Sequence, residues 1–420
     1  ERGMRQEVCF DREEHLYANL GPARIPYHHR TVLGYCKAFG IDLEVFTNDN
    51  RAAFFHNRER FGGRPVAARR VLTDMRGYVT ELLAKAVDRG ALDAELTAED
   101  KDSVRAMLKS FGGLDDDLGY AGSNRAGYRG TEIHAGMAAG EVEEKLDFGE
   151  LLGADFWKYK LHFSHFLNQN PTLFQPVGGM DAIVRAFAGR VGDLVRHDCI
   201  VEQIRRQGDG VRIVYRGPDG AEQTVLADYA ICTIPAPVLK DIANDFSPET
   251  RHALESLEFV EAVKVAFQAK RRFWEDDAAI YGGISWTDND ITQVWYPSNG
   301  YHRPKGVLVG AYIWSREPGL RYSAMPAPER LKAALAEGEV LHPGYADEID
   351  CGVSRAWLNV PFQKGGWPRR NPDAASVLRR SDGPFHFAGD QVTALPGWQE
   401  GALLAAHAAA QAIDRRFTGR

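Results

Sequence analysis

Near its end the chain reads FHFAGDQVTALPGWQEGALLAAHAAAQAI, residues 385 to 413, and this stretch limits the possible folds more than any other. Phe385, Phe387 and Ala388 have the character of a buried strand, Gly389 lets the chain turn, and Asp390 leaves a carboxylate at the strand's carboxyl edge. Open α/β sheets bind ligands at that edge. From Gly397 onward Ala402, Leu403, Ala406, Ala409, Ala410 and Ile413 recur at helical spacing, and the alanines let the helix lie close to a neighbour. A helix that starts beside a glycine offers unpaired amides and a partial positive charge to an anionic ligand. The stretch therefore reads as a strand, a tight loop and a helix that cradle a ligand, the alternative being an ordinary turn before an alanine-rich packing helix.

With 420 residues, 44% hydrophobic and 26% charged, the chain has material for about two or three domains. A formal net charge of -7 provides no basic field, which argues against nucleic acid and for small molecules as partners. No apolar run has the length needed to span a bilayer. Five cysteines, Cys9, Cys36, Cys199, Cys232 and Cys351, lie far apart without CxxC or zinc spacing and read as reduced core thiols. The histidines, His28-His29 included, contain no HExxH, so no metal site is expected. The chain opens at Glu1 rather than methionine, which leaves localisation open and room for a preceding segment.

Residues 17 to 40 run from a proline-punctuated loop containing Arg24 into a helix around 31 to 39 that stops at Gly40. From about 65 to 160 the pattern is helical and charged, with Val71, Met75, Val79, Leu82, Leu83 and Val87 expected on one stripe. Between 200 and 234 three short β-type runs are separated by Gly208-Asp209-Gly210 and Gly217-Pro218-Asp219-Gly220 and feed a buried strand. Upstream, Gly178-Gly179-Met180-Asp181 opens a further helix. Alternation at 259 to 274 and 307 to 312 indicates a second, mostly antiparallel sheet.

These residues resemble the flavin amine oxidase family, and within it the bacterial L-amino-acid oxidases, over almost the whole chain. The resemblance implies an α/β fold with α+β elements: an FAD-binding domain of glutathione-reductase type, a mostly antiparallel substrate domain and a helical insertion. The boundaries it implies are 1-64 and 236-365 for the substrate domain, 65-165 for the helical domain, and 166-235 with 366-420 for the FAD-binding domain. It also implies FAD as cofactor, with Val201 at the adenine, Gly389 and Asp390 at the ribityl chain, and Gly397 and Trp398 at the flavin. Arg24 in ANLGPARIP corresponds to the arginine that clamps the substrate α-carboxylate, which suits a planar guanidinium able to make two parallel charge-assisted hydrogen bonds. Tyr312 corresponds to a tyrosine assisting that clamp, Trp357 and Trp398 to aromatic walls of the pocket, and Lys264 to a lysine holding a water beside the flavin.

Two departures stand out. The family's histidine above the flavin has no clear counterpart around Phe166 to Phe174, where Asn170 is the nearest candidate. The family's opening GxGxxG unit and its GGR stretch have no counterpart either; the GGRP at 62 to 65 lacks a preceding strand. The sequence is thus expected to begin just after that unit, which another chain or segment supplies. The function implied is oxidation of L-amino acids by FAD and O2 to 2-oxo acid, ammonia and hydrogen peroxide. Decarboxylating monooxygenation to an amide, oxidation of simple amines, and a non-catalytic fragment or subunit are the alternatives, and a homo-oligomer remains open.

Overall fold

Strand Val263–Ala269 is buried at every position. The computed structural model describes residues 5–129 and 140–418, and in it this strand lies inside a seven-stranded sheet. The order is Ile349–Ala356, Val263–Ala269, Gly306–Ile313, Gln293–Tyr296, Gly283–Trp286, Phe54–Phe55 and Val66–Ala67. Neighbours are antiparallel except where Trp286 pairs with Phe55. Alternation sends Val263, Val265 and Phe267 into one core with Tyr322 of helix Arg316–Ala324 and Ala334 of helix Ala327–Gly338. The opposite face, carrying Ala266, Val307 and Val353, is covered by Phe10, Leu16, Ala18 and Leu20 from the N-terminal segment.

That segment is a strap fastened along its length. Gln6 exchanges hydrogen bonds with Ser354, and the Asp11 amide donates to Gln268 Oε1 at 2.8 Å. Between them Cys9 and Cys351 form a disulfide across 342 positions of sequence, with Cα atoms 6.3 Å apart. The expectation of five reduced thiols is therefore wrong for this pair, because the strap runs beside the outer strand and brings the two together. Cys36, Cys199 and Cys232 are free thiols.

The meander is formed by Ile200–Gln207, Gly210–Arg216 and Glu222–Ala227, with Ala243–Asn244 added parallel to the first strand. Glycine at the two turns supplies the positive φ they require, +59° at Gly208 and +78° at Gly220. The next strand, Ala230–Cys232, pairs parallel with Phe385–Phe387. Helices Pro248–Glu255, Pro372–Arg379 and Gln399–Thr418 contribute Leu254, Leu378 and Ala405 to the core with this pair.

Helices Ala68–Asp88 and Ala98–Gly112 pack together. The second begins with a reciprocal cap between Thr97 and Asp100 and ends at Gly113 in the left-handed region. The single apolar stripe expected on the first helix is split: Val71, Met75 and Val87 are buried, whereas Val79, Leu82 and Leu83 are exposed. Close packing by small residues turns the helix. A Cβ on Gly77 would stand 2.2 Å from the Tyr120 ring, and one on Gly112 would stand 1.9 Å from Thr80 Oγ1. Among the described residues no helix is long and apolar enough to cross a membrane.

Candidate active site

Where the strap ends, Arg24 precedes Ile25–Pro26, a short edge strand paired with Leu173–Pro176. Its guanidinium lies among aromatic rings, Cζ being 4.7 Å from the Trp295 centroid, 5.7 Å from Phe163, 5.8 Å from Phe46 and 5.9 Å from Trp398. Nε donates to Gln169 Oε1 at 2.9 Å. Among the described residues no carboxylate pairs with it. Burial lowers its pKa to about 10, against a smaller upward pull from Tyr312 and Tyr159, so it stays cationic at neutral pH. A buried cation without a counter-charge is costly, and an anionic ligand relieves that cost.

Lys264 stands directly across the sheet from Tyr312, and side chains opposed in this way face the same side. It is 3% exposed, and Nζ donates to the backbone oxygens of Asn19 at 3.0 Å and Gly21 at 2.7 Å. Burial, and secondarily the charge of Arg24, holds its pKa well below the usual lysine range. The two carbonyls take two of the positions around Nζ, and the third is open to a water. Tyr312 meets Trp295 edge to face at 4.8 Å, and burial raises its pKa to about 12. Trp357 Nε1 donates to Leu20 O at 2.8 Å, and its ring lies against Gly21. The strap thus supplies backbone acceptors to two predicted site residues and carries a third.

Gly389 turns the chain at φ +107° after strand Phe385–Phe387, and Asp390 follows at its carboxyl end. Gly397 N–H donates to Asp390 Oδ2 at 2.8 Å, which fixes the loop just ahead of helix Gln399–Thr418. Burial raises the Asp390 pKa, countered by backbone N–H groups led by that of Gly397. Gly397 adopts φ +80°, and a Cβ there would stand 3.1 Å from Trp367 Cγ. Asp390, Gly397, Trp398, Trp357, Lys264 and Tyr312 all line one cavity of about 300 Å³. Arg24 and Gln169 line an adjoining space of about 170 Å³ that shares Lys264, Tyr312, Gly397 and Trp398 with it.

Val201 lies elsewhere, in a second cavity of about 670 Å³ with Ile234 and Pro235. Segment 361–367 is a wall of both cavities: Pro361, Phe362 and Lys364 face the second, Gln363, Gly366 and Trp367 the first. The residues present therefore fit a flavin dinucleotide. Aromatic walls and a glycine that admits no side chain suit a flat ring in the first cavity, and the second has room for another ring beside Val201.

Asn170, the nearest candidate for the family's histidine, is exposed and lines none of these spaces. Its neighbours are the residues that matter. Gln169 holds Arg24, and Asn168 Oδ1 lies 2.9 Å from His28 Nε2 and 3.2 Å from His29 Nε2. The His29 ring stands edge-on to Trp398 at 5.1 Å. Glu400 accepts from the amides of Thr31 and Val32, tying the helix that follows His29 to the helix that follows Trp398. The polar run Asn168-Gln169-Asn170 and the His28-His29 pair were visible in the sequence, but only the fold sets them against each other.

The flavin containing amine oxidoreductase family matches residues 8–414. An L-amino-acid oxidase of Siganus canaliculatus is 26% identical over 99% of this chain and 79% of its own length. The flavin-dependent L-tryptophan oxidase of Lentzea aerocolonigenes is 26% identical over 95% and 87%. In fold, cyclohexylamine oxidase from Brevibacterium oxydans superposes with a TM-score of 0.62 at 14% identity, covering 96% of this chain and 88% of that one. Putrescine oxidase bound to putrescine gives 0.61 at 17%, covering 94% and 88%. At such identities these two likenesses speak for the mixed α/β architecture alone. The match along nearly the entire length, on a site shaped for a flavin, identifies the chain as a member of the flavin containing amine oxidoreductase family.

Proposed function

We propose that the protein oxidises L-amino acids to 2-oxo acids, with ammonia and hydrogen peroxide as the other products. The observation that carries this reading is Arg24, a cation set among rings with no acidic partner among the described residues, beside the cavity lined by Lys264, Tyr312 and Trp398. A simple amine would leave that charge uncompensated. The oxidases of Siganus canaliculatus and Lentzea aerocolonigenes support the same substrate class by their similarity.

In this reading Arg24 takes the α-carboxylate through its Nη edge while Gln169 holds Nε, and the Tyr312 hydroxyl donates to the same carboxylate. Trp398 and Trp357 enclose the amino carbon and fix its orientation, which supplies much of the rate. Lys264, whose pKa burial lowers, holds a water at the position its two carbonyl partners leave free, and in its neutral form takes the proton of the substrate ammonium through that water. When bound, FAD supplies the two-electron acceptor for the hydride leaving Cα, and O2 returns it to the oxidised state. The imine hydrolyses to 2-oxo acid and ammonia, so amino acid, O2 and water are balanced by 2-oxo acid, ammonia and hydrogen peroxide.

Asp390, Gly397 and Trp398 would hold the flavin end of FAD and Val201 the adenine end. The pyrophosphate loop, in this proposal, comes from a GxGxxG-bearing segment outside these 420 residues. Product analysis tests the function. Protein reconstituted with FAD, and with such a segment, is expected to yield equal amounts of 2-oxo acid and peroxide from an L-amino acid; an amide product would replace the proposal with decarboxylating monooxygenation.

A further inference from the structure

We propose that Gln169 determines the charge specificity of the site, by orienting the Arg24 guanidinium through a neutral acceptor and leaving its positive charge to the ligand. This deepens the reading of Arg24 as a carboxylate clamp and rests on it. The Gln169 carbonyl oxygen takes the Nε hydrogen at 2.9 Å, and both side chains line the same space of about 170 Å³. Gln169 is itself held on both sides. Its amide donates to Phe166 O at 2.7 Å, and its backbone oxygen accepts from Asn48 Nδ2 at 2.8 Å. The preceding residue, Asn168, engages His28 and His29, and His29 backs Trp398. One short turn therefore sets both the guanidinium and the tryptophan opposite it.

The electrostatics make the neutrality of Gln169 consequential. Rings surround Arg24, and among the described residues the ionisable groups acting on it are the phenols of Tyr312 and Tyr159 and the amine of Lys264. None of these bears a negative charge at neutral pH. A glutamate has the shape of glutamine and differs by one charge, so at position 169 it would neutralise Arg24 internally. An incoming carboxylate would then meet a completed ion pair instead of a free cation.

The test uses the FAD-reconstituted protein and two probes of nearly equal shape, benzoate and benzamide, with affinity measured by equilibrium dialysis. Gln169→Glu is expected to weaken benzoate by about 30-fold, or about 2 kcal/mol, with benzamide changing by less than about 3-fold. Gln169→Leu removes the orienting bond without adding charge, so benzoate should weaken only about 3-fold to 10-fold. Should the Glu variant not hold flavin, Gln169→Asp places the same charge one methylene farther back, and benzoate is still expected to weaken more than in the Leu variant, with benzamide changing by less than about 3-fold. Equal losses of benzoate in the acidic and Leu variants, or a parallel loss of benzamide, would reduce Gln169 to a packing residue and overturn the proposal. Arg24→Leu separates the two layers: unchanged benzoate binding there would remove the clamp itself, whereas lost binding combined with an indifferent Gln169→Glu would remove only the role of Gln169.

Discussion

Lys264 and Tyr312 come from a sheet of seven strands whose second face is closed by a strap and a disulfide; Asp390 comes from the end of a sheet of two strands. Those two strands are parallel, and parallel strands in folded proteins are normally covered on both faces and flanked by neighbours. Around them lie exposed apolar side chains, Ile231 at 41% and Leu404 at 44%. The seven-stranded side fixes its site residues with its own contacts. The two-stranded side supplies a loop held by the Gly397–Asp390 bond, a carboxylate and a helix start, all at the edge of the cavity. Substitutions in the first region should therefore change which ligand is chosen, and those in the second how firmly the cofactor is kept.

The sharpest way to break that division is Arg24→Ala. It should lower kcat/KM for an L-amino acid by about 10³-fold, through loss of two charge-assisted hydrogen bonds, while the matching decarboxylated amine is oxidised no more slowly. Equal loss on both substrates would show that Arg24 supports the fold and not the choice of ligand. Next in size is the strap. Cys9→Ser with Cys351→Ser should cost about 2–4 kcal/mol in denaturant unfolding and speed amide exchange in residues 5–16, with FAD retention little changed. Loss of FAD in that variant would mean that the two regions are not independent.

His342 sharpens the comparison through pH. Burial holds its pKa down at about 4, and Nε2 is hydrogen-bonded to the Tyr296 hydroxyl at 2.7 Å in the core of the larger sheet. The unfolded chain binds a proton there at about 6.5, so the contribution is complete above that pH and declines as pH falls toward 4. At pH 5 the loss is about 2 kcal/mol, measurable by chemical denaturation at pH 7.5 and 5. His342→Gln should flatten the slope. The smallest effect belongs to the two-stranded side. Asp390→Ala removes the acceptor for Gly397 N–H and should weaken FAD retention about 10-fold, read from flavin released on dialysis, with no change in the preference for carboxylate-bearing substrates.

Features that depend on neighbouring residues were legible in the sequence. Gly208 and Gly220 punctuate the meander, the alternation around Lys264 places it opposite Val263 and Val265, and the Gly389-Asp390 turn follows its strand as read. Arg24, Lys264, Tyr312, Trp357 and Trp398 border the same or adjoining cavities, but it was the family resemblance and not local spacing that grouped them, since the fold brings them together from distant parts of the chain. Legibility ended where the decisive partner is remote. The Cys9–Cys351 pairing needs the strap to lie on the outer strand, and the role of Gln169 needs a turn 145 residues away to meet Arg24. The split stripe on Ala68–Asp88 has the same cause: Gly77 and Thr80 face the buried side because Tyr120 and Gly112 come to them.

The central claim is that Arg24 and Trp398 bound a site where an amino acid gives up a hydride. Anaerobic mixing of the FAD-loaded protein with an L-amino acid, its D-enantiomer and the corresponding amine, followed by flavin absorbance, addresses it directly. Rapid bleaching by the L-amino acid, with little or none by the other two, is the predicted result. Bleaching by the amine as fast as by the L-amino acid would contradict it.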